Sequence, residues 1–444
     1  MLEPRSPAMQ FDPPQSDSSS PQAGSPQPAS PRADAASPGA GPAEPGPFDV
    51  VIVGGGPVGL AFARSLAGTG LRLAVVERQD EATLAEPAPD GREIALTHHS
   101  QHLLRQLGAW AHIPAEAPSA LREARVLNGS SPYALRFDVE DRPEAALGQL
   151  VSNHLIRRAL FRSLAEQEGL TLLCGVEVVS AATEGETGRV TLADGQVLRA
   201  RLVVGADTRF SAMRRFHGIA ADAHDFGRSM LVGRLAHEGD HEHVATEWFD
   251  EAQTVAMLPL NGRVSSLVLT LPAPEIERLA KAPAEEFSEE ITRRYRARLG
   301  RMRLIGGRHV YPLATTYARR FVAPRFALIG DAAVGMHPVT AHGFNLGLRG
   351  ADTLAQAIRA ALRAGRDVAD PRALHRYESA HRRATWPIYT GTNLVARLYS
   401  ESSLPARLAR HAALRLGNHF TPFKHAVRAM LMESEAPARG GHTG

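Results

Sequence analysis

The 444 residues contain a single cysteine, Cys174, so no disulfide can form within the chain and a reducing compartment suits it. Its place in the apolar run 170–179 reads as a small core side chain rather than a nucleophile. No stretch reaches the ~18 uninterrupted apolar residues that a membrane-spanning helix needs. The first residues hold Glu3 and four prolines by Pro14 and lack an apolar core, so they do not read as a secretory signal. The expected location is therefore cytoplasmic. An excess of one charge is also missing, because 50 Lys and Arg stand against 47 Asp and Glu, a formal net charge of +3. Clustered basic residues interleaved with aromatics, the mark of nucleic-acid binding, are not found, so no nucleic-acid partner is expected. What is present, 43% hydrophobic and 22% charged residues, is the composition of a globular protein with a sizeable core.

Residues 1–47 hold 12 of the 31 prolines and one aromatic, Phe11. Such a segment cannot bury enough apolar surface to offset its ordering entropy, and a tail without fixed structure is expected. From Phe48 onward the pattern is that of an α/β protein. A buried strand over 48–53, a helix over 57–69 and a strand over 71–77 make a doubly wound opening. Helices are expected over 96–107 and 152–168, and strands over 170–179, 189–192 and 196–205. Between 228 and 272 four segments alternate apolar and polar residues, which predicts an inserted antiparallel sheet. A strand over 326–330, a long helix over 343–362 and a helical C-terminus beyond Pro371 complete the reading.

Gly54-Gly55-Gly56-Pro57-Val58-Gly59 fits G-x-G-x-x-G at the junction of the first strand and helix. Gly54 would permit the turn, Gly56 would let backbone N–H groups approach a pyrophosphate, and Gly59 would let helix and strand pack closely. Pro57 would open a helix whose N-terminus faces the phosphates. Glu77, followed by Arg78, ends the second strand at the distance expected of a carboxylate that accepts ribose hydroxyls. The pattern points to a dinucleotide without separating its kinds. The plainer alternative is a tight strand-to-helix turn.

Two later motifs carry a resemblance. The segment from Gly205-Ala206-Asp207 through Thr208, Arg209, Ser211 and Arg214 resembles the second fingerprint of single-domain flavoprotein hydroxylases, G-A-D-G-x-x-S-x-x-R. Gly330-Asp331-Ala332-Ala333, with Pro338, Gly343, Phe344 and Asn345 downstream, resembles their third. These are the para-hydroxybenzoate-hydroxylase-like flavin monooxygenases. Gly91-Arg92-Glu93-Ile94-Ala95-Leu96, Leu150-Val151-Ser152-Asn153, Ala256-Met257-Leu258-Pro259-Leu260 and Tyr311-Pro312-Leu313 are similar to stretches of the ubiquinone-biosynthesis branch. Met336 to Asn345 looks most like the 5-demethoxyubiquinol 5-hydroxylases. Departures are Thr208 for Gly, Val334 for His, Ala341-His342 for Gly-Gln, and Gly350 for Asp.

The resemblance implies a Rossmann-like FAD-binding domain of the glutathione-reductase type, an inserted antiparallel-sheet substrate domain and a helical C-terminus. The FAD part would comprise 48–130, 151–225 and 316–370, the substrate part 131–150 and 226–315, and the helical region 371–444. FAD would be the cofactor, with Asp331 on its ribityl chain, Asp207 in the second motif and Arg92 on the cofactor side. NAD(P)H would be the co-substrate, docking transiently, since no second G-x-G-x-x-G exists to form a separate domain for it. Molecular oxygen would reach an electron-rich ring through a 4a-hydroperoxyflavin. Pro338 and the loop 339–343 would lie at the flavin face. His337 and His342 are candidates for acid–base work there, against the alternative of loop histidines bonded to backbone.

The expected substrate is a polyprenylated phenol or quinol in ubiquinone biosynthesis. Two alternatives stay open: a hydroxylase of a small soluble aromatic, and an FAD-bound scaffold subunit of a quinone-synthesis complex. Halogenase chemistry is disfavoured, because no W-x-W pair exists among Trp110, Trp248 and Trp386. The segments 404–416 and 424–432 alternate apolar and basic residues. They read as packed terminal helices or as a surface peripheral to the inner membrane.

Overall fold

The computed structural model describes residues 47–131, 133–138, 146–250, 253–337 and 343–400, without the side chains of 395 and 397–400. Strand β1 (Phe48–Val53) is apolar but for Asp49, the pattern of a strand covered on both faces. Through the glycine turn it enters α1 (Pro57–Ser65), where Pro57 occupies a first-turn position that needs no N–H, and then β2 (Leu73–Glu77). There follow α2 (Glu81–Ala85), β3 (Glu93–Leu96), α3 (His98–Gln106), β4 (Ser119–Leu121), β5 (Glu123–Asn128) and β6 (Leu135–Phe137). Next come β7 (Gly148–Ser152), α4 (Asn153–Arg162), β8 (Leu170–Cys174), β9 (Val178–Glu184), β10 (Thr187–Leu192), β11 (Val197–Gly205) and α5 (Ala212–Phe216). The second half opens with β12 (Ala221–His237), β13 (Val244–Asp250), β14 (Gln253–Pro259) and β15 (Val264–Pro272). It continues through α6 (Ala273–Lys281), α7 (Ala284–Arg294) and β16 (Met302–Ala318). The short strands β17 (Val322–Ala323), β18 (Phe326–Leu328) and β19 (Val334–Gly335) precede α8 (Gly343–Arg363) and α9 (Pro371–Ser400).

Strands β18, β11, β1, β2 and β8 pair in parallel, the arrangement that needs apolar residues on both faces. Antiparallel strands extend this sheet at β17, β10 and β9. The second sheet runs β19-β16-β12-β15-β14-β13-β5-β6 and is antiparallel except where β13 meets β5. One face of it carries Leu231, Trp248, Val255, Leu267 and Leu269, which pack with Ile276 of α6 and Phe287 of α7. The small sheet β3-β7-β4 lies off both paths.

The structure corrects several expectations. The four-strand sheet over 228–272 is the middle of an eight-strand one, among the described residues. Its largest addition is β16, which runs beside β12. Gly306, Gly307 and Pro312 interrupt β16 and much of it is exposed, so no apolar alternation betrays it. The run 170–179 divides at Gly175, whose φ of +73° turns the chain. The helix expected over 152–168 ends at Arg162. The expectations for 1–46, Pro338, the loop 339–342 with His342, and the helices over 404–416 and 424–432 lie outside the described residues. Among the described residues no helix is long and apolar enough to cross a membrane.

Helices α8 and α9 meet at Gly350, where an added Cβ would come within 2.6 Å of the His381 ring. Glycine here, in place of aspartate, makes room for that histidine, which is buried against Tyr377 and Phe321. Burial lowers its pKa to about 4, and burial followed by the charge of Arg209 does the same for His337. The unfolded chain takes up these protons near the ordinary histidine value, and the fold resists them. Stability is therefore full above pH ~6.5 and is lost as pH falls toward 4, by up to about 3 kcal/mol per histidine. Thermal unfolding between pH 7 and 4.5 measures the slope, and His381→Phe is expected to flatten it.

Candidate cofactor and active site

The carboxyl ends of β1, β2, β11 and β18 lie side by side, the place where open α/β sheets bind ligands. Gly54 N–H donates to Val76 O (2.8 Å), Ala206 N–H to Val53 O (2.8 Å) and Ile329 N–H to Gly205 O (2.9 Å). The three glycine motifs, up to 276 positions apart (54 to 330), thus begin in one row. Gly54 has φ +117°, and a Cβ there would sit 2.3 Å from Ala206 O. At Gly59 a Cβ would sit 2.0 Å from Gly54 O. The Val58 side chain wedges against Gly330 and Gly347, where added Cβ atoms would approach it to 3.2 and 2.9 Å. Gly56 differs: a Cβ there would meet nothing within 4 Å. Protein packing does not demand that glycine, whereas a group approaching the backbone at the α1 N-terminus would.

Glu77 is held by backbone donors. Its Oε2 accepts Gly55 N–H at 2.6 Å and its Oε1 accepts Gln79 N–H at 2.8 Å. Each oxygen keeps a lone pair for a hydroxyl. Arg78 is exposed beside it. Asp207 Oδ2 accepts Ala212 N–H (2.7 Å) and Met213 N–H (3.3 Å). Its Oδ1 is buried with no partner among the described residues, and burial raises the pKa of the carboxyl. An orphan acceptor of this kind costs about 1–3 kcal/mol until a donor reaches it.

Asp331 has a partner that the sequence did not reveal. Its Oδ2 accepts from Arg209 Nη2 at 3.2 Å, while Arg209 Nη1 donates to Ala314 O at 2.8 Å. Arg209 stands at a variable position of its motif, and its anchor on β16 is 105 residues away. Gly330, with φ +60°, sets the turn that presents Asp331. Gly343 opens α8, and Phe344 packs against the main core. Asn345 is buried; its Oδ1 accepts Thr97 N–H (3.3 Å) and its Nδ2 donates to Ala95 O (2.8 Å), tying α8 to β3.

His337 is buried, edge-on to Phe226 with ring centroids 4.8 Å apart. Its lowered pKa leaves it neutral at pH 7, so its chemistry there is that of a neutral imidazole. Arg92 pairs with Asp90 (Nη2–Oδ2 2.6 Å) and lies 5.3 Å over the Tyr311 ring. Tyr311 O–H donates to Asp90 O at 2.7 Å and Asn153 Nδ2 to Asp90 Oδ2 at 2.7 Å. Arg92 thus sits where the 90–93 loop meets the second sheet. Beside it Glu93, whose side chain is 2% exposed, accepts from Arg234 Nη2 of β12 at 2.6 Å.

The model of the FAD binding domain family matches residues 47–392. This chain belongs to that family. It is an FAD-dependent monooxygenase with NAD(P)H as co-substrate. Ubiquinone hydroxylase UbiM of Neisseria meningitidis is 41% identical over 86% of this chain and 84% of its own length. The 3-demethoxyubiquinol 3-hydroxylase of Escherichia coli is 29% identical over 83% of this chain and 94% of its own. The crystal structure of p-nitrophenol 4-monooxygenase PnpA from Pseudomonas putida DLL-E4 matches with a TM-score of 0.69 at 18% identity. The match covers 87% of this chain and 98% of that one, and it shows the shared fold. The residues present fit FAD: the monooxygenase offers an open Gly56, a free helix N-terminus and an orphan acceptor on Asp207. Bound there, the flavin supplies the activation of oxygen for transfer to a ring.

Proposed function

We propose that this monooxygenase hydroxylates the aromatic ring of a polyprenylated phenol or quinol in ubiquinone biosynthesis, at position 5 of a demethoxyubiquinol. The observation that carries the reading is the convergence of the three motifs on one row of strand ends, in a chain 41% identical to a ubiquinone hydroxylase. The similarity of Met336 to Asn345 to the 5-hydroxylase branch supports the ring position.

In this reading the α1 N-terminus and Gly54, Gly56 and Gly59 hold the pyrophosphate, and Glu77 holds the adenosine ribose. Asp331, braced by Arg209, holds the ribityl chain, and the first N–H groups of α8 stabilise charge at the flavin's pyrimidine edge. Segments 48–130, 151–225 and 316–370 form the cofactor half and 131–150 with 226–315 the substrate half, save that β5 (Glu123–Asn128) pairs into the second sheet beside β13. Pro338 and the loop to Gly343 are the segment that would face the flavin ring, and His337 before them is neutral. The basic segments 404–416 and 424–432 draw the enzyme to anionic lipid, where the substrate resides.

Quinone profiling in a deletion strain tests the function. The strain is expected to accumulate demethoxyubiquinone and to recover ubiquinone when the gene is restored. A normal quinone profile after deletion refutes the assignment.

A further inference from the structure

The second sheet has one face committed to α6 and α7, and its other face carries a carboxyl in an apolar row. Along β13 the side chains alternate, and Trp248 points into the cluster beneath α6 and α7. Glu247 therefore lies on the opposite face. Its ladder partners there are Ala256 on β14 and Val126 on β5. Followed across the strands, the register gives one line: His309, Val232, Val268, Ala256, Glu247, Val126, Leu135. The loop before β3 closes one end, since a Cβ on Gly91 would press on His309 and Val232. This is the face over which Arg92 and Glu93 stand.

Glu247 is half-buried and has no hydrogen-bond or ion-pair partner among the described residues. The side chains that share its face from β14 are Thr254, Ala256 and Leu258, and from β5 Ala124, Val126 and Asn128. From β13 itself they are Ala245 and Phe249. None of them titrates. The ionisable groups farther along the same face include Arg234, paired with Glu93, Arg303, His309 and Tyr311.

We propose that Glu247 is the residue that positions the substrate ring, its carboxyl hydrogen-bonding a phenol or quinol hydroxyl laid on the apolar row. Burial alone pushes this carboxyl up to about 8, so at neutral pH it both donates and accepts. A neutral acid accepts an uncharged quinol without burying a net charge. It offers no countercharge to an aromatic carboxylate. The inference rests on the proposed phenol or quinol substrate and specifies how this site selects it.

The test is binding of a short-chain demethoxyubiquinol and of 4-hydroxybenzoate to the holoenzyme, followed by the flavin absorbance change. Glu247→Leu is expected to weaken quinol binding about 10- to 100-fold, the loss typical of one hydrogen bond in a dry site. Glu247→Gln is expected to stay within about threefold. The wild type's affinity is expected to fall as pH rises through about 8, where the carboxyl ionises, and the Gln variant's to stay flat. Unchanged quinol binding by Glu247→Leu overturns the role and leaves the proposed function standing. If the wild type ignores the quinol, binds another neutral phenol and loses it in Glu247→Leu, the pathway assignment fails and the role stands. Should Glu247→Leu not fold, the pH profile of Glu247→Gln decides: a slope equal to wild type refutes the role.

Discussion

Gly54→Ala is expected to give a protein that purifies without flavin and melts well below the wild type. The residue sits at φ +117°, which side chains adopt only with strain, about 1–3 kcal/mol by itself. The new methyl would also stand 2.3 Å from Ala206 O and 2.6 Å from Ala206 C, which are backbone atoms of the neighbouring parallel strand. They cannot retreat without breaking the bond from Ala206 N–H to Val53 O that aligns the first two motifs. The combined cost should exceed about 3 kcal/mol. Gly56→Ala is the control, because its methyl meets no protein atom. It should melt within about 1 kcal/mol of wild type yet hold flavin less tightly. Flavin-to-protein absorbance ratios and thermal unfolding read both outcomes. A Gly54→Ala protein that stays yellow and stable contradicts the close approach.

Arg234→Met should cost about 3 kcal/mol, because it leaves the buried Glu93 carboxyl without its ion pair. Burial raises the Glu93 pKa, and the charge and hydrogen bonds of Arg234 draw it part of the way back. Without the arginine it rises further. A carboxyl whose folded pKa lies above its unfolded value keeps its contribution below the unfolded pKa and loses it as pH rises through the folded one. The deficit of the variant should therefore be small near pH 4.5 and grow toward pH 8. Adding Glu93→Gln should recover most of it. Melting curves of the single and double variants across that range check the sign, and a deficit independent of pH would rule the mechanism out.

The parts of this protein that were legible in the sequence are those whose physics is local. The turn at Gly54–Gly59, the apolar β1 and Glu77 at the end of β2 announce themselves within thirty residues. Arg209 was not legible, since its meaning comes from Asp331 and Ala314, more than a hundred residues downstream. The Glu93–Arg234 pair is invisible for the same reason. Strand β16 lacks alternation because its first part mixes exposed and part-buried residues in no fixed period, and β5 and β6 are too short for a period to stand out. Glu247 misleads in a different way: a charged residue beside Trp248 reads as solvent-facing, and only the register shows it flanked by apolar neighbours.

The row of strand ends also sets an order of events during synthesis. Strand β1 leaves the ribosome before the other strands of its sheet, but it lies between β2 and β11, and Val58 finds its seat only when Gly330 and Gly347 arrive. More than four-fifths of the described chain must therefore emerge before the flavin crevice can close. Until then the apolar β1 has an unpaired edge, the kind of surface that chaperones shield and aggregation exploits. Fragments that end before α8 should not retain flavin, however well their first ninety residues fit the fingerprint.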